Sequence, residues 1–485
     1  MTKAKKTAKD IHPKRGVLLR AQNGDVIGFD ETGVRVNLAD SVIADIQRRL
    51  TNTSEVQVVD ASVLGDINAW DVRETEGWYL FHAHLPGAQN IGQFRRPVKA
   101  VGDSVPQIIA QPSAALYGLF ALGGARRGMT SDETVRFPYH VLSTGDDMGA
   151  AGSAGSQDVE KNNQLERLNE HTIDSLIGDE IIARRLADYR ALPVLYVRGE
   201  TDSSTSIAGL ANGRAMANFK KSLANFCAAA GNLGVAPKVL AVALDFTLEA
   251  VEDDAASWHR GLYDIMHAIT DVFADHGLRK PLFVAQFEAG TQIISDHPVL
   301  RAQWDLAWNK GGHDFIYSAP SYMFPLDEFG RATAPARQQI AEMYAFAIEA
   351  RNQDQDWACP VFLLAEREDD PRIIRCKAQS LNALIIDPKD PLNAGPVAGF
   401  AFEGCTNNAK ITDVSVCPDD PNDLLIVCDK APKGAALHLT YALGFPASDD
   451  GMPANRGSVR DAWHHTSATG ISLHRWALPA ALPVH

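Results

Sequence analysis

The sequence predicts an α/β protein: a doubly wound parallel sheet in a three-layer domain, followed by a C-terminal β-sandwich. Three observations carry this. Between residues 77 and 355, short apolar runs alternate with long amphipathic stretches. Each run is bounded by Gly, Pro or Asp, as buried parallel strands are. After residue 355 the helical period stops, and strand-like runs separated by Pro, Asn, Asp and Gly take over.

Residues 1–76 read as an N-terminal extension. They are polar with short apolar pieces at 17–19, 26–29 and 34–36, and 56–61 (VQVVDA) reads as a strand. That pattern suits a β-rich arm or a subunit-contacting extension. In residues 77–355 the predicted strands are 78–85, 138–145, 192–199, 238–246, 281–289 and 314–319. Helices are predicted near 175–190, 206–231, 249–278, 296–309 and 334–352. In the last of these, Ile340, Met343, Tyr344, Ala347 and Ile348 share one face. Strand–helix alternation of this kind implies a parallel sheet. Residues 145–157 (GDDMGAAGSAGSQ) read as a flexible loop directly after a strand. Such loops line the crevice of an open α/β sheet; a plain surface loop is the other reading. Residues 356–485 carry runs at 360–365, 382–387, 399–404, 410–417, 423–428 and 435–443, the rhythm of a β-sandwich.

Composition narrows the function classes. The chain has 485 residues, 45% of them hydrophobic and 22% charged, as globular proteins do. Its formal charge of −14 argues against a general nucleic-acid binder, which neutralises phosphates with basic side chains. Sugars carry little charge and remain open as partners. The one basic run (Lys3, Lys5, Lys6, Lys9, Lys14, Arg15) reads as a solvated terminus. No apolar stretch follows it, so it is not a signal peptide, and no run is long enough to span a bilayer. The expected setting is synthesis in the cytoplasm, with release inside a particle or after lysis. None of the six cysteines forms a CxxC pair, so a zinc site is not expected; buried thiols are, with disulfides among the five cysteines after residue 358 as the other reading.

Three places sit where chemistry is expected. The first is the turn Pro86-Gly87-Ala88-Gln89-Asn90-Ile91-Gly92. The second is Gly199-Glu200-Thr201-Asp202. The third is Leu326-Asp327-Glu328-Phe329-Gly330-Arg331-Ala332-Thr333, entering the 334–352 helix. Their order and spacing resemble the SGNH/GDSL hydrolase superfamily, particularly its sialate O-acetylesterase-like carbohydrate esterases. The likeness covers about residues 77–352. VLYVRGETD is its most specific piece, and EFGRATAPARQQIAEMYAFAI matches the closing block in rhythm. The resemblance implies a first strand followed by a GQSN turn bearing the nucleophilic serine, a GExD element, and an Asp-x-x-His whose histidine is the base. Here the first turn reads Gly-Ala-Gln-Asn, so Gln89 stands in the serine position. Arg331 stands in the histidine position, and Glu328 or neighbouring Asp327 in the aspartate position. An amide is no acyl nucleophile, and an arginine accepts no proton at neutral pH. The Ser–His mechanism needs both roles filled. Gly87, Gln89, Asn90, Gly199, Glu200, Asp202 and Arg331 are then expected to bind a ligand, and the catalytic set is undefined.

Other readings stay open. A rewired Ser–His pair would draw on Ser153, Ser156, Ser203 or Ser204 and on His82 or His84; otherwise these are loop and strand residues. Glu200 and Asp202 accept hydrogen bonds from substrate hydroxyls on one reading. On the other, Asp202 caps the helix near 206 and Glu200 pairs with an arginine such as Arg331. Trp304 and Trp308 stack on sugars or pack in the core. The closing stretch, with Tyr441-Ala442, Gly444, Asn455-Arg456-Gly457 and Arg460-Asp461, resembles some bacteriophage and prophage proteins that carry an SGNH domain. Arg456, Arg460 and Asp461 are expected in a buried ion-pair network there. His464, His465 and His474 have no standard ligand spacing, and neither metal nor cofactor is implied.

The expectation is therefore a catalytically degenerate, glycan-binding or structural protein. Its implied setting is a homo-oligomer or a larger assembly such as a phage-type virion. The alternative is an active carbohydrate O-acetylesterase with a relocated nucleophile.

Overall fold

The computed structural model describes residues 16–20, 26–30, 33–38, 43, 57–99, 106–131, 134–144, 158–202, 206–245, 254–290, 298–443 and 451–485. At its centre is a seven-stranded sheet of β1 (Ala115–Gly123), β2 (Val141–Thr144), β3 (Leu165–Arg167), β4 (Val194–Thr201), β5 (Ala236–Asp245), β6 (Leu282–Phe287) and β7 (Asp314–Pro320). The order is β3-β2-β4-β1-β5-β6-β7. Neighbours are parallel except β3, which runs antiparallel to β2 along one edge. The helices are α1 (Ile173–Ala187), α2 (Ile207–Asn212), α3 (Arg214–Asn232), α4 (Ala255–Asp275), α5 (Pro298–Trp308) and α6 (Ala334–Asn352).

The sheet is buried on both faces. From β1, Leu116, Phe120 and Leu122 enter one core, closed by Phe219 and Phe226 of α3 and Ile265 and Phe273 of α4. Leu119 and Ala121 enter the other, closed by Ile177 and Ile181 of α1 and Met343 and Ile348 of α6. Two apolar faces per strand are why these segments read as continuous runs rather than alternating ones. Side-chain caps fix the helix starts: Thr172 with Ser175 for α1, Ser206 for α2, Asp254 for α4 and Thr333 for α6. Each such cap contributes about 1 kcal/mol. The helix predicted over 206–231 is two helices, broken at Gly213, whose extended backbone (φ −85°, ψ −173°) ends α2 and begins α3.

Two strand assignments differ from the sequence expectation. The 78–85 run does not join the parallel sheet. Trp78–Ala83 lies in a five-stranded antiparallel sheet with Gln57–Val58, Ala69–Thr75, Gly92–Pro97 and Ile109–Ala110. Glu76 and Gly77 both take positive φ (48° and 80°), the geometry of a tight hairpin turn, and tie it to the preceding strand. The connection from Ala83 to Gly92 is also too short for a parallel crossover, which takes roughly a dozen residues. The strand that does lead the parallel sheet is β1, whose glycines disguise it. A Cβ on Gly118 would lie 2.6 Å from the Phe120 ring, and one on Gly123 would lie 2.2 Å from the Asp245 carbonyl oxygen. These are close-approach glycines inside a strand, not loop markers.

Gly16–Arg20, Val26–Asp30 and Gly33–Asn37 form a three-stranded antiparallel sheet over the apolar pieces of the arm. The C-terminal segment is all-β, in three antiparallel sheets. Phe362, Phe400 and Tyr441 pack together there, with ring centroids 4.9–5.3 Å apart. The Trp304 indole N–H donates to the Phe362 carbonyl at 2.6 Å, so Trp304 joins α5 to this segment. Cys359, Cys376, Cys417 and Cys428 are buried thiols, and burial pushes Cys359 up to about 12. No helix among the described residues is long and apolar enough to cross a membrane.

Candidate functional site

From β1 the chain moves to β2 and β4 on one side, then crosses to β5, β6 and β7 on the other. In an open α/β sheet, the crevice beyond the carboxyl ends of the strands at such a switch point is where ligands bind. Backbone bonds tie the carboxyl ends of the central strands together here. The Asp202 N–H donates to the Gly123 carbonyl (3.1 Å), and the Gly124 N–H to the Asp245 carbonyl (3.0 Å). The chain then turns through Gly124-Ala125-Arg126-Arg127-Gly128, with a 3-10 helix over Ala125–Gly128.

Charged side chains around this end are largely paired with one another. Arg127 makes a bidentate contact with Asp174 at the start of α1, and both are buried. Its guanidinium also lies 5.1 Å from the Tyr344 ring centroid. Burial works against the Arg127 charge, but Asp174, Tyr344 and Asp245 outweigh it and hold the pKa above the ordinary arginine value. On β4, Glu200 accepts hydrogen bonds from Arg198 Nε (2.8 Å) and from the Ser222 hydroxyl (2.7 Å). Beyond β6, Glu288 accepts from the Gly290 N–H (2.9 Å) and the Ser321 hydroxyl (3.2 Å). The Asn455 amide donates to the Ala289 carbonyl (2.9 Å), bringing the C-terminal segment to this edge. Ser222 and Ser321 thus each donate to a carboxylate.

The structure separates the predicted site residues into three groups. Gly199, Glu200 and Asp202 lie at the carboxyl end of β4. Glu200 pairs with Arg198 of its own strand rather than with Arg331. Asp202 does not cap the following helix; Ser206 does, accepting from the Gly209 N–H at 3.1 Å. Glu328 and Arg331 belong to a hairpin closed by the Leu326–Ala332 bridge. There Arg331 pairs with Asp327 at 2.9 Å, and Glu328 is exposed. Gly87, Gln89 and Asn90 form a third group away from the crevice. Leu85-Pro86-Gly87-Ala88 is a type II turn, with the Ala88 N–H on the Leu85 carbonyl (3.0 Å) and Gly87 at φ 79°. The Tyr139 hydroxyl donates to the Pro86 carbonyl (2.9 Å) and holds the turn against the sheet. Gln89 and Asn90 line a cavity of about 420 Å³ with His140 and Leu192, which precede the amino ends of β2 and β4.

His82 sits on the antiparallel sheet, stacked on Trp70 at 6.2 Å. Ser153, Ser156, Ser203, Ser204 and the 145–157 loop lie outside the described residues. Of the residues expected in an ion-pair network, Arg460 pairs with Asp387 (2.7 Å) and Asp461 with Arg475 (2.5 Å), as two separate pairs. Sequence reasoning passed over the Gly124–Gly128 turn. Its signal was an apolar run, 114–122, broken only by Gly118 and ending in Gly-Gly.

Comparison with protein-family models and with curated proteins finds no match. Among solved structures, the chain is similar to a carbohydrate acetylesterase from Xanthomonas citri at 12% identity and a TM-score of 0.47, over 79% of this chain and 85% of that one. It is similar to NanS at 11% identity and a TM-score of 0.34, over 51% of this chain and 100% of that one. A protein from Arabidopsis thaliana also resembles it, at 12% identity and a TM-score of 0.33, over 48% of this chain and 98% of that one.

Proposed function

We propose that this chain is a carbohydrate-esterase-like protein whose crevice binds a glycan without Ser–His hydrolysis, as part of a larger assembly. The observation that carries this reading is the turn leaving β1. The sequence resemblance implies a nucleophilic serine after the first strand of the parallel sheet. That strand is β1, and its turn, Gly124-Ala125-Arg126-Arg127-Gly128, offers neither hydroxyl nor thiol. The earlier turn at Gln89 offers none either. Arg127 is taken up by Asp174. Glu200, 1% exposed and engaged by Arg198 and Ser222, positions the end of β4 rather than meeting solvent. Half-buried Asp202 is the member of the Gly-Glu-Thr-Asp element suited to accept a sugar hydroxyl.

The assembly part of the proposal rests on the closing segment, whose sequence resembles phage-type SGNH proteins. A homo-oligomer is its simplest form.

Acetate release from acetylated xylan and from an aryl acetate tests the reading, with Ser153→Ala, Ser203→Ala and Ser204→Ala beside the parent. The expected result is no release above buffer by the folded parent, together with glycan retention that Asp202→Ala weakens. Release that one serine variant abolishes would overturn it in favour of an esterase with a relocated nucleophile. Light scattering on the purified chain reads the assembly state.

A further inference from the structure

The cavity at the amino ends of β2 and β4 has a feature that folding alone does not favour. Helix α1 ends in a Schellman motif: the Arg190 N–H reaches the Arg185 carbonyl (2.8 Å) and the Tyr189 N–H the Leu186 carbonyl (3.1 Å). The residue between the cap and Arg190 must then be left-handed, a position that suits glycine. Here it is Tyr189, at φ 53°. The residue is 98% exposed, so packing within the chain does not repay the backbone strain. Strain of this kind, when it presents a bare aromatic ring, points to a use outside the fold.

The surroundings of that ring define the use. Tyr189 and exposed Ile91 both line the 420 Å³ cavity, a volume within the usual range of small-molecule sites. Polar lining comes mainly from amides, those of Gln89, Asn90, Gln93 and Gln111. Gln111 is held by Arg95, whose Nε donates to its carbonyl oxygen at 2.5 Å, which directs the Gln111 NH₂ away from that bond. Among the described lining residues, Arg190 supplies the permanent charge and no carboxylate opposes it. His140 is fixed through Nδ1 on the Pro193 carbonyl (3.0 Å).

We infer that this cavity is a saccharide site for an acidic oligosaccharide. Tyr189 stacks on a sugar ring, Arg190 pairs with a uronate carboxylate, and Gln89, Asn90 and Gln93 exchange hydrogen bonds with hydroxyls. An aromatic ring beside several amides suits a pyranose, whose axial C–H face is apolar and whose edge is polar. The guanidinium fork suits a carboxylate. This site lies at the opposite end of the sheet from the crevice and goes beyond the function proposed above.

Calorimetric titration of the full chain with tri-galacturonate, and with maltotriose as the neutral comparison, tests it. The parent is expected to bind tri-galacturonate more tightly than maltotriose. Tyr189→Ala and Tyr189→Gly are expected to weaken tri-galacturonate by about tenfold or more. Tyr189→Gly is also expected to melt no lower than the parent, which separates lost binding from lost folding. Arg190→Gln is expected to erase the preference for the acidic trimer. A parent that binds neither saccharide, binding that survives both Tyr189 variants, or a preference that survives Arg190→Gln would overturn the inference.

Discussion

Arg127, in the turn that leaves the central strand, and Asp174, in the first turn of α1, form a two-point ion pair in which each side chain is 1% exposed. The pair fixes the turn against the helix at the carboxyl end of the central strand. Its two halves differ in how they respond to losing the partner. An orphaned arginine stays charged, whereas an orphaned buried carboxyl takes up a proton. Burial already raises the Asp174 pKa. Asp174→Asn is therefore expected to cost about 3–5 kcal/mol, the range for breaking a buried pair. Arg127→Met is expected to cost less. Urea unfolding of both variants at neutral pH checks the order, and equal losses would mean that the charge is not what the pair stabilises.

Glycines in this chain should divide sharply by what surrounds them. Gly123 meets the Asp245 carbonyl where a Cβ would stand, at 2.2 Å. Backbone cannot give way there as a side chain can, so Gly123→Ala is expected to destabilise by at least the ~1–3 kcal/mol of an overpacked core. Gly231, in the last turn of α3, has nothing within 4 Å. Gly231→Ala is expected to stabilise by up to about 1 kcal/mol through helix propensity. Thermal midpoints of the two variants moving in the same direction would contradict this account.

A pH dependence follows from His313. Burial lowers its pKa from the ordinary 6.5, and nearby His267 and Lys280 add to the effect. The unfolded chain then binds more protons than the folded one between the lowered value and 6.5. Stability from this group is present above 6.5 and is lost as the pH falls through the folded-state value. His140, His465 and His474 shift the same way, each mainly through burial. The parent is expected to lose urea resistance on going from about pH 7.5 to about pH 5. His313→Phe keeps an aromatic ring beside Phe283 (5.7 Å between centroids) and should lose less. Parallel curves for the two proteins would show that His313 does not contribute.

Much of the architecture was legible, and the exceptions have physical causes. α6 begins and ends where its apolar face predicts, because Thr333 caps it and Pro335 suits its first turn. β4 and β5 were visible as apolar runs because both of their faces are buried. The 78–85 run misled because aromatic richness marks strands of either kind, and only the short connection to Gly92 distinguishes them. β1 was hidden because Gly118 and Gly123, required by close packing, look like loop residues. At the site, Gly199, Glu200 and Thr201 of the Gly-Glu-Thr-Asp element belong to β4 itself, which runs to Thr201 rather than ending at Gly199. The partners of Glu200 and Arg331 were not legible, because pairing within a strand or hairpin depends on rotamers rather than on sequence distance.

The joint between the α/β sheet and the C-terminal segment offers the last test. The Tyr322 hydroxyl, just beyond β7, donates to the Ala477 carbonyl (2.6 Å) and lies 3.3 Å from the Tyr441 hydroxyl. Tyr441 in turn accepts from the buried Val459 N–H (3.0 Å). A Cβ on Gly457 would stand 2.1 Å from that hydroxyl, so the chain passes directly over it. Tyr441→Phe keeps the ring among Phe362 and Phe400 but leaves the Val459 N–H without its acceptor. A buried donor so stranded costs about 1–3 kcal/mol. Tyr322→Phe removes one hydroxyl donor and leaves a carbonyl that tolerates the loss better, so its cost should be the smaller. Denaturant midpoints order the two variants. Faster amide exchange at Val459 in Tyr441→Phe alone would locate the effect, and unchanged exchange there would assign the hydroxyl no role in holding the segment.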